Sequence, residues 1–195
     1  MPWNREEIAL KLLKDAIGEG SVRRVMVASH YSMLPLFEQY DIVSVKKTFL
    51  SDVNKGDVVV YIMDGQAHFI AHRCIQLEKK EGKLYAVTKG DNLPYLDPYL
   101  IGEDEFLGKV VRFTNRNKLI PCEHVLWRYA NRLLADVSRL HAYLIRMSER
   151  FGKKPAHNTS PVLPSRLFLF ISRIINTLRR ILVKILIVCT APLEN

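Results

Sequence analysis

Four polar residues between positions 30 and 100 are of types that carry out nucleophilic and acid–base chemistry. Ser32 follows an extended apolar run in VMVASHYSMLP, and His72 lies in the run HFIAHRCIQL. A serine hydroxyl becomes a useful nucleophile only when a base removes its proton, and histidine, with an ordinary pKa of about 6.5, can do so at neutral pH. Asp91 and Asp97 follow in TKGDNLPYLDP. Considered singly, these residues are more typical of a turn serine, a core histidine and two loop aspartates than of a catalytic site.

The surrounding pattern predicts the elements that must position these residues. Residues 21–121 consist of short β-type runs separated by Gly, Asp, Asn and Pro, which predicts a compact and mostly antiparallel β domain. Residues 1–20 have the spacing of an amphipathic helix, and residues 122–151 that of a long helix. A breaker-rich linker at 152–164 precedes a basic amphipathic helix at 165–191. The predicted fold class is mainly β, with an N-terminal helix and a C-terminal helical extension.

Charge distribution and cysteine content indicate where the positive charge lies in the chain and in which compartment the protein works. Of the net charge of +9, the first 121 residues contribute 17 basic and 16 acidic side chains, and the remainder contributes 12 and 4. The positive charge is therefore concentrated in the C-terminal segment. Three cysteines without zinc-type or redox spacing argue against a disulfide framework and favour a reducing, cytoplasmic location. The N-terminal residues contain no apolar run typical of a secretory signal or a membrane anchor.

Five motifs in a fixed order resemble those of type I signal peptidases. They are Ser-Met-x-Pro from Ser32, a strand headed by Gly-Asp at Gly56, the pair His72-Arg73, Gly-Asp-Asn at 90–92 with a following Asp, and Gly-Lys-Val at 108–110. The His-Arg pair is similar to the branch of the endoplasmic reticulum, archaea and some spore-forming bacteria, in which histidine replaces a lysine base. The resemblance covers roughly residues 22–113. It implies the signal-peptidase β fold for that region.

The same resemblance implies roles for individual residues. Ser32 would be the nucleophile and His72 its general base, with Asp97, and Asp91 close by, as the carboxylate that orients and stabilises the imidazole. The backbone N–H of Ser32 would supply half of an oxyanion hole. The implied activity is a serine endopeptidase that removes a leader or signal segment from a peptide or protein precursor, without a cofactor. His30 stands where family members commonly have a small residue.

Other interpretations remain open. A LexA-type self-cleaving regulator shares the implied fold but uses a lysine base, and a catalytically inactive peptide-binding module would have much the same sequence. Lys89 is a rival base, although lysines in such loops are usually solvated. His68, His72 and Cys74 alternate along one predicted strand and so share a face, which is compatible with a metal site. We predict no metal, because a fourth ligand is not evident.

The basic helix at 165–191 allows three interpretations. It could contact an anionic membrane peripherally, with its apolar face in the lipid and its Arg and Lys side chains near the headgroups. It could equally pack on the helix at 122–151 as an antiparallel hairpin. Nucleic-acid binding is the least favoured, because no aromatic pattern is interleaved with the charges. The predicted location is thus cytoplasmic, and peripheral at a membrane under the first interpretation.

Overall fold

The computed structural model describes residues 22–26, 31–63, 69–115, 118–152 and 162–190. It contains eight strands: β1 Val22–Met26, β2 Ile42–Lys46, β3 Val58–Tyr61, β4 Ile70–Lys80, β5 Lys83–Lys89, β6 Leu100–Ile101, β7 Phe106–Asn115 and β8 Lys118–Pro121. Two helices follow, α1 Val125–Gly152 and α2 Val162–Thr190, and 3-10 turns lie at Tyr31–Met33 and Leu50–Asp52. The mainly β fold with C-terminal helices is confirmed. The helix predicted for residues 1–20 and most of the predicted linker lie outside the described residues.

All eight strands belong to one antiparallel sheet in the order β1-β2-β7-β3-β4-β5-β6, and β8 pairs with β7. Strand β3 is buried along its whole length, and its residues alternate between two cores. Val58 and Val60 belong to the core beneath the helices, whereas Val59 and Tyr61 belong to the core on the opposite face. The period of two residues in a strand thus places neighbouring residues in different environments.

The two helices form an antiparallel hairpin that packs on one face of the sheet. The indole Nε1 of Trp127, near the start of α1, donates a hydrogen bond of 2.7 Å to Thr190 Oγ1 at the end of α2. Trp127 is fully buried and meets Phe113 of β7 edge to face, with ring centroids 5.6 Å apart. Burying such a side chain stabilises the fold by roughly 2–3 kcal/mol. This contact therefore fixes the hairpin to the sheet.

Gly56 lies where the β domain comes close to the backbone of α1. Its φ is +98°, and a Cβ at this position would lie 2.5 Å from the backbone of Asn131 in α1. Only glycine combines this left-handed conformation with so little space.

Neither of the described helices is long and apolar enough to cross a bilayer.

Candidate active site

Ser32 lies in the 3-10 turn between β1 and β2, and the loop after β5 packs against its backbone. The neighbouring Met33 is buried in the core beneath the helices and anchors the turn. The carbonyl of Ser32 accepts a 2.7 Å hydrogen bond from the backbone N–H of Asn92. Gly90 fits below it, because a Cβ there would lie 2.9 Å from the same carbonyl oxygen. The Gly-Asp-Asn segment therefore positions the serine through its backbone.

His72 lies on β4 and forms a short hydrogen bond with Asp97. Its Nδ1 atom is 2.7 Å from Asp97 Oδ2, and both side chains are 9% exposed. The same carboxylate oxygen accepts hydrogen bonds from Thr88 Oγ1 at 2.6 Å and from the Tyr61 hydroxyl at 3.0 Å. The backbone N–H of Asp97 donates to the carbonyl of Thr88 at 2.8 Å. Three side chains and one backbone contact thus hold this aspartate in place.

The charge state of Asp97 sets the tautomer of His72. Burial raises the pKa of Asp97, but the hydrogen bond and charge of His72, with the hydrogen bonds from Thr88 and Tyr61, outweigh burial and bring the pKa below its ordinary value. Burial and the charge of Asp97 raise the pKa of Tyr61, so its hydroxyl stays neutral and donates. An ionised carboxylate can only accept, so Nδ1 of His72 carries the proton. In the neutral imidazole, Nε2 is then free to act as a base.

Asp91 is paired with Arg73 and not with His72. Arg73 Nε and Nη2 contact the two carboxylate oxygens of Asp91 at 2.8 and 2.6 Å, and both side chains are almost fully buried. Arg73 Nη1 also donates to the Gly56 carbonyl and to Asn131 Oδ1, each at 2.8 Å. Burial raises the pKa of Asp91, but Arg73 more than offsets this and lowers it. Of the two predicted carboxylates, the structure therefore brings only Asp97 to the histidine.

Ser32 and His72 are not joined by a hydrogen bond in the part of the chain that the structure describes. The turn that carries Ser32 packs against β4. Among the described residues, His72 forms its side-chain hydrogen bonds through Nδ1, and none joins it to the Ser32 hydroxyl. Catalytic hydrogen bonds are often formed only when substrate is in place. A hydrogen bond thus joins the histidine to the aspartate, and the turn that carries the serine packs against the histidine's strand.

Lys89 is buried, in contrast to the solvated side chain that the sequence predicts. It pairs with Arg73 across β4 and β5, so both side chains share the helix-covered face of the sheet. Its Nζ donates to the carbonyl of Gly90 at 3.1 Å. Burial lowers the pKa of Lys89 to about 8, an effect that Asp91 opposes and Arg179 of α2 reinforces. The helices that cover this face are the physical reason for the difference.

Three functional contacts were not apparent in the sequence. Tyr61 and Thr88 hold Asp97, and Arg180 of α2 donates from Nη2 to Asn92 Oδ1 at 2.6 Å. The alternation of VVVY in β3 is a signal for Tyr61, because Val59 faces His72 in the register and Tyr61 lies two residues further on. The contact of Arg180 joins elements 88 residues apart and had no local signal.

The metal interpretation and a cavity beside α1 do not add to this site. Among the described residues, no group of three or more His, Cys, Asp or Glu could hold a metal ion, and His68 and His30 lie outside them. Burial raises the pKa of the Cys74 thiol to about 12. A cavity of about 460 Å³ between α1 and the sheet is lined by Lys55, Lys109 and other residues, but not by Ser32, His72 or Asp97.

No protein-family model matches the chain.

Proposed function

We propose that the protein is a serine endopeptidase that cleaves a leader or signal segment from a peptide or protein precursor. Ser32 is the nucleophile, His72 the general base and Asp97 the carboxylate that orients it. The observation that carries this proposal is the 2.7 Å contact between His72 Nδ1 and an aspartate kept ionised by its hydrogen-bond donors. The order of the sequence motifs supports the same roles.

The proposed reaction begins when Nε2 of His72 takes the proton from the Ser32 hydroxyl as its oxygen attacks the scissile carbonyl. Asp97 stabilises the imidazolium that results. The imidazolium then returns its proton to the departing amine, which leaves an acyl-enzyme on Ser32. A water molecule, deprotonated by His72, hydrolyses this ester and regenerates the serine. General-base catalysis of this kind contributes about 10²–10⁴-fold to the rate.

Cleavage of a peptide library with small residues before the candidate scissile bonds tests the proposal. The native chain is compared with Ser32→Ala, His72→Ala and the control Ser138→Ala. Ser138 is a buried serine of α1 whose hydroxyl lacks a hydrogen-bond partner among the described residues, so its loss should be tolerated. We expect cleavage by the native chain and the control but not by the other two variants. Equal cleavage by all four proteins would rule out the dyad.

A second candidate is a catalytically silent peptide-binding module of the same fold. The observation that favours it is the absence of a hydrogen bond between Ser32 and His72 among the described residues. Under this alternative the native chain cleaves no library member, and Ser32→Ala binds peptides as tightly as the native chain. Fluorescence polarisation with labelled library peptides separates the two candidates.

The proposed location is the cytoplasm, with peripheral contact to a membrane through residues 165–191. The high basic charge of this segment supports the assignment. Fractionation of cells should recover the protein with membranes at low salt and release it at high salt. Recovery in the soluble fraction at both salt concentrations would contradict peripheral contact.

A further inference from the structure

Helix α2 exposes a continuous apolar stripe. Seven large apolar side chains, between 43% and 78% exposed, recur at spacings of three or four residues, which places them on one side of the helix. They are Leu167, Phe170, Ile174, Leu178, Ile181, Ile185 and Val188. A monomeric soluble protein rarely exposes a contiguous apolar patch of this extent without a partner.

A basic stripe runs beside the apolar one. Four exposed basic side chains, at spacings of seven, seven and four residues, each immediately precede a member of the apolar stripe in the sequence. They are Arg166, Arg173, Arg180 and Lys184. The helix contains no Asp or Glu at all. Its outward half is therefore divided into an apolar strip and a strip of uniformly positive charge.

The hairpin uses the other side of α2. Ser172, Arg179, Val183 and Ile187 are buried, and Thr190 accepts the hydrogen bond from Trp127. Packing against α1 and the sheet therefore accounts for the inward face only. The apolar stripe lies on the opposite side of α2 from these buried residues, and its side chains remain 43% to 78% exposed.

We propose that the outward half of α2 docks onto the surface of an anionic lipid bilayer. In that position the apolar stripe enters the boundary between headgroups and acyl chains, and the basic stripe contacts the headgroup phosphates. This inference rests on the peripheral membrane contact proposed above for residues 165–191, for which it names the surface and the lipid charge, and it does not depend on the peptidase activity.

The charges on the helix favour a bilayer over other occupants. A symmetric contact with a second copy brings the same surface of both chains together, so two positive stripes would meet with no acid on the helix to neutralise them. A nucleic acid would neutralise the charges but leave the apolar stripe in water. An anionic bilayer satisfies both stripes at once, because it supplies negative charge and an apolar layer beneath it.

Sedimentation with vesicles tests the electrostatic part. Vesicles of phosphatidylglycerol and phosphatidylcholine in equal amounts are compared with vesicles of phosphatidylcholine alone. The triple variant Arg166→Gln, Arg173→Gln, Lys184→Gln removes three charges, each contributing about 1 kcal/mol near an anionic surface, so the partition coefficient should fall roughly 100-fold. Arg180 is left in place because it contacts Asn92. Equal binding to both vesicle types, or binding to neither, would overturn the proposal.

A pair of leucines on the same helix tests the apolar part. Leu178 is in the stripe and 60% exposed, whereas Leu169 is 41% exposed and lies outside it. Leu178→Ser should weaken vesicle binding about tenfold, and Leu169→Ser should bind like the native chain. Equal loss in both variants would refute a specific docking face, provided that thermal unfolding shows both to be folded.

Two further measurements complete the test. Sedimentation velocity without lipid identifies a second copy as occupant: a native dimer that becomes monomeric in Leu178→Ser would overturn the bilayer assignment. The Ser32→Ala variant should bind vesicles like the native chain. Failure of the peptidase proposal therefore leaves this result unchanged, and the reverse also holds.

Discussion

Asp91 and Asp97 lie six positions apart in one loop, yet replacing each with asparagine should have different effects. Asparagine keeps the size of the side chain and removes its charge. In Asp97→Asn, the amide can turn its NH₂ group towards His72 Nδ1, which places the imidazole proton on Nε2 and removes the base from Ser32. By analogy with triads in other serine hydrolases, we expect kcat/KM to fall by about 10³–10⁴-fold. The loss of a charge-assisted hydrogen bond should cost about 1.5–3 kcal/mol in the free energy of unfolding.

Asp91→Asn should act mainly on stability. Arg73 is fully buried, and Asp91 supplies its shortest contact, at 2.6 Å, and a second contact at 2.8 Å. Removing the charge of one partner leaves a buried guanidinium uncompensated, which typically costs about 3–5 kcal/mol. This is a large part of the roughly 5–15 kcal/mol that stabilises a domain. Activity per folded molecule should change much less than in Asp97→Asn, because Asp91 does not contact His72.

Urea unfolding followed by circular dichroism, together with peptide cleavage kinetics, measures both effects. If Asp91→Asn is too unstable to purify, the double variant Arg73→Met, Asp91→Leu replaces the buried pair with apolar side chains and should recover part of the stability. One result would refute the assignment of Asp97 as the carboxylate that orients His72. In that result, Asp91→Asn loses activity but not stability, and Asp97→Asn stays active.

Three further predictions follow from the site and the hairpin. Tyr61→Phe removes one hydrogen-bond donor to Asp97 and should lower kcat/KM about tenfold. The free energy of unfolding should change by less than about 1.5 kcal/mol. A pH–rate profile measures the effect on activity, and urea unfolding measures the effect on stability. Asp91 and Asp97 have lowered pKa values in the folded protein, so their contribution to stability is present above the unfolded pKa of about 3.9. This contribution should be lost as the pH falls through the pKa values of the folded protein. Urea unfolding at a series of pH values from 7 to 2 measures the loss. Gly56→Ala should destabilise the protein by more than about 1 kcal/mol because its Cβ would meet the α1 backbone, whereas Gly82→Ala, with φ +78° and open space, should show only the cost of backbone strain in the same urea assay.

The sequence predicts the sheet well because its signals are local. Alternating apolar residues and Gly, Asp, Asn and Pro punctuation mark strands such as VVVY and the turns between them. The resemblance implied Asp97, with Asp91 close by, as the partner of His72, and in the structure Asp97 contacts His72 whereas Asp91 pairs with Arg73. The pair of Arg73 and Asp91 had no signal in the spacing of the residues, because it depends on the face of β4 that each side chain occupies.

Burial by distant elements explains what the sequence did not predict. Lys89 ends an otherwise ordinary strand, and only the packing of the hairpin over that face removes it from water. Arg180 reaches Asn92 for the same reason. Such contacts require the relative placement of elements far apart in the chain, for which composition and periodicity contain no information.

The contact between Arg180 and Asn92 has a consequence for protein engineering. Two successive hydrogen bonds, from Arg180 to the Asn92 side chain and from the Asn92 backbone to the Ser32 carbonyl, join α2 to the turn that carries the proposed nucleophile. The sequence motifs that resemble those of peptidases end near residue 113, so residues 22–113 would be the first choice for a minimal version of the proposed enzyme. Grafted alone, it would lose the side chain that holds Asn92 and the Asn131 amide that accepts from Arg73. The candidate site thus depends on the sheet and the helical hairpin together.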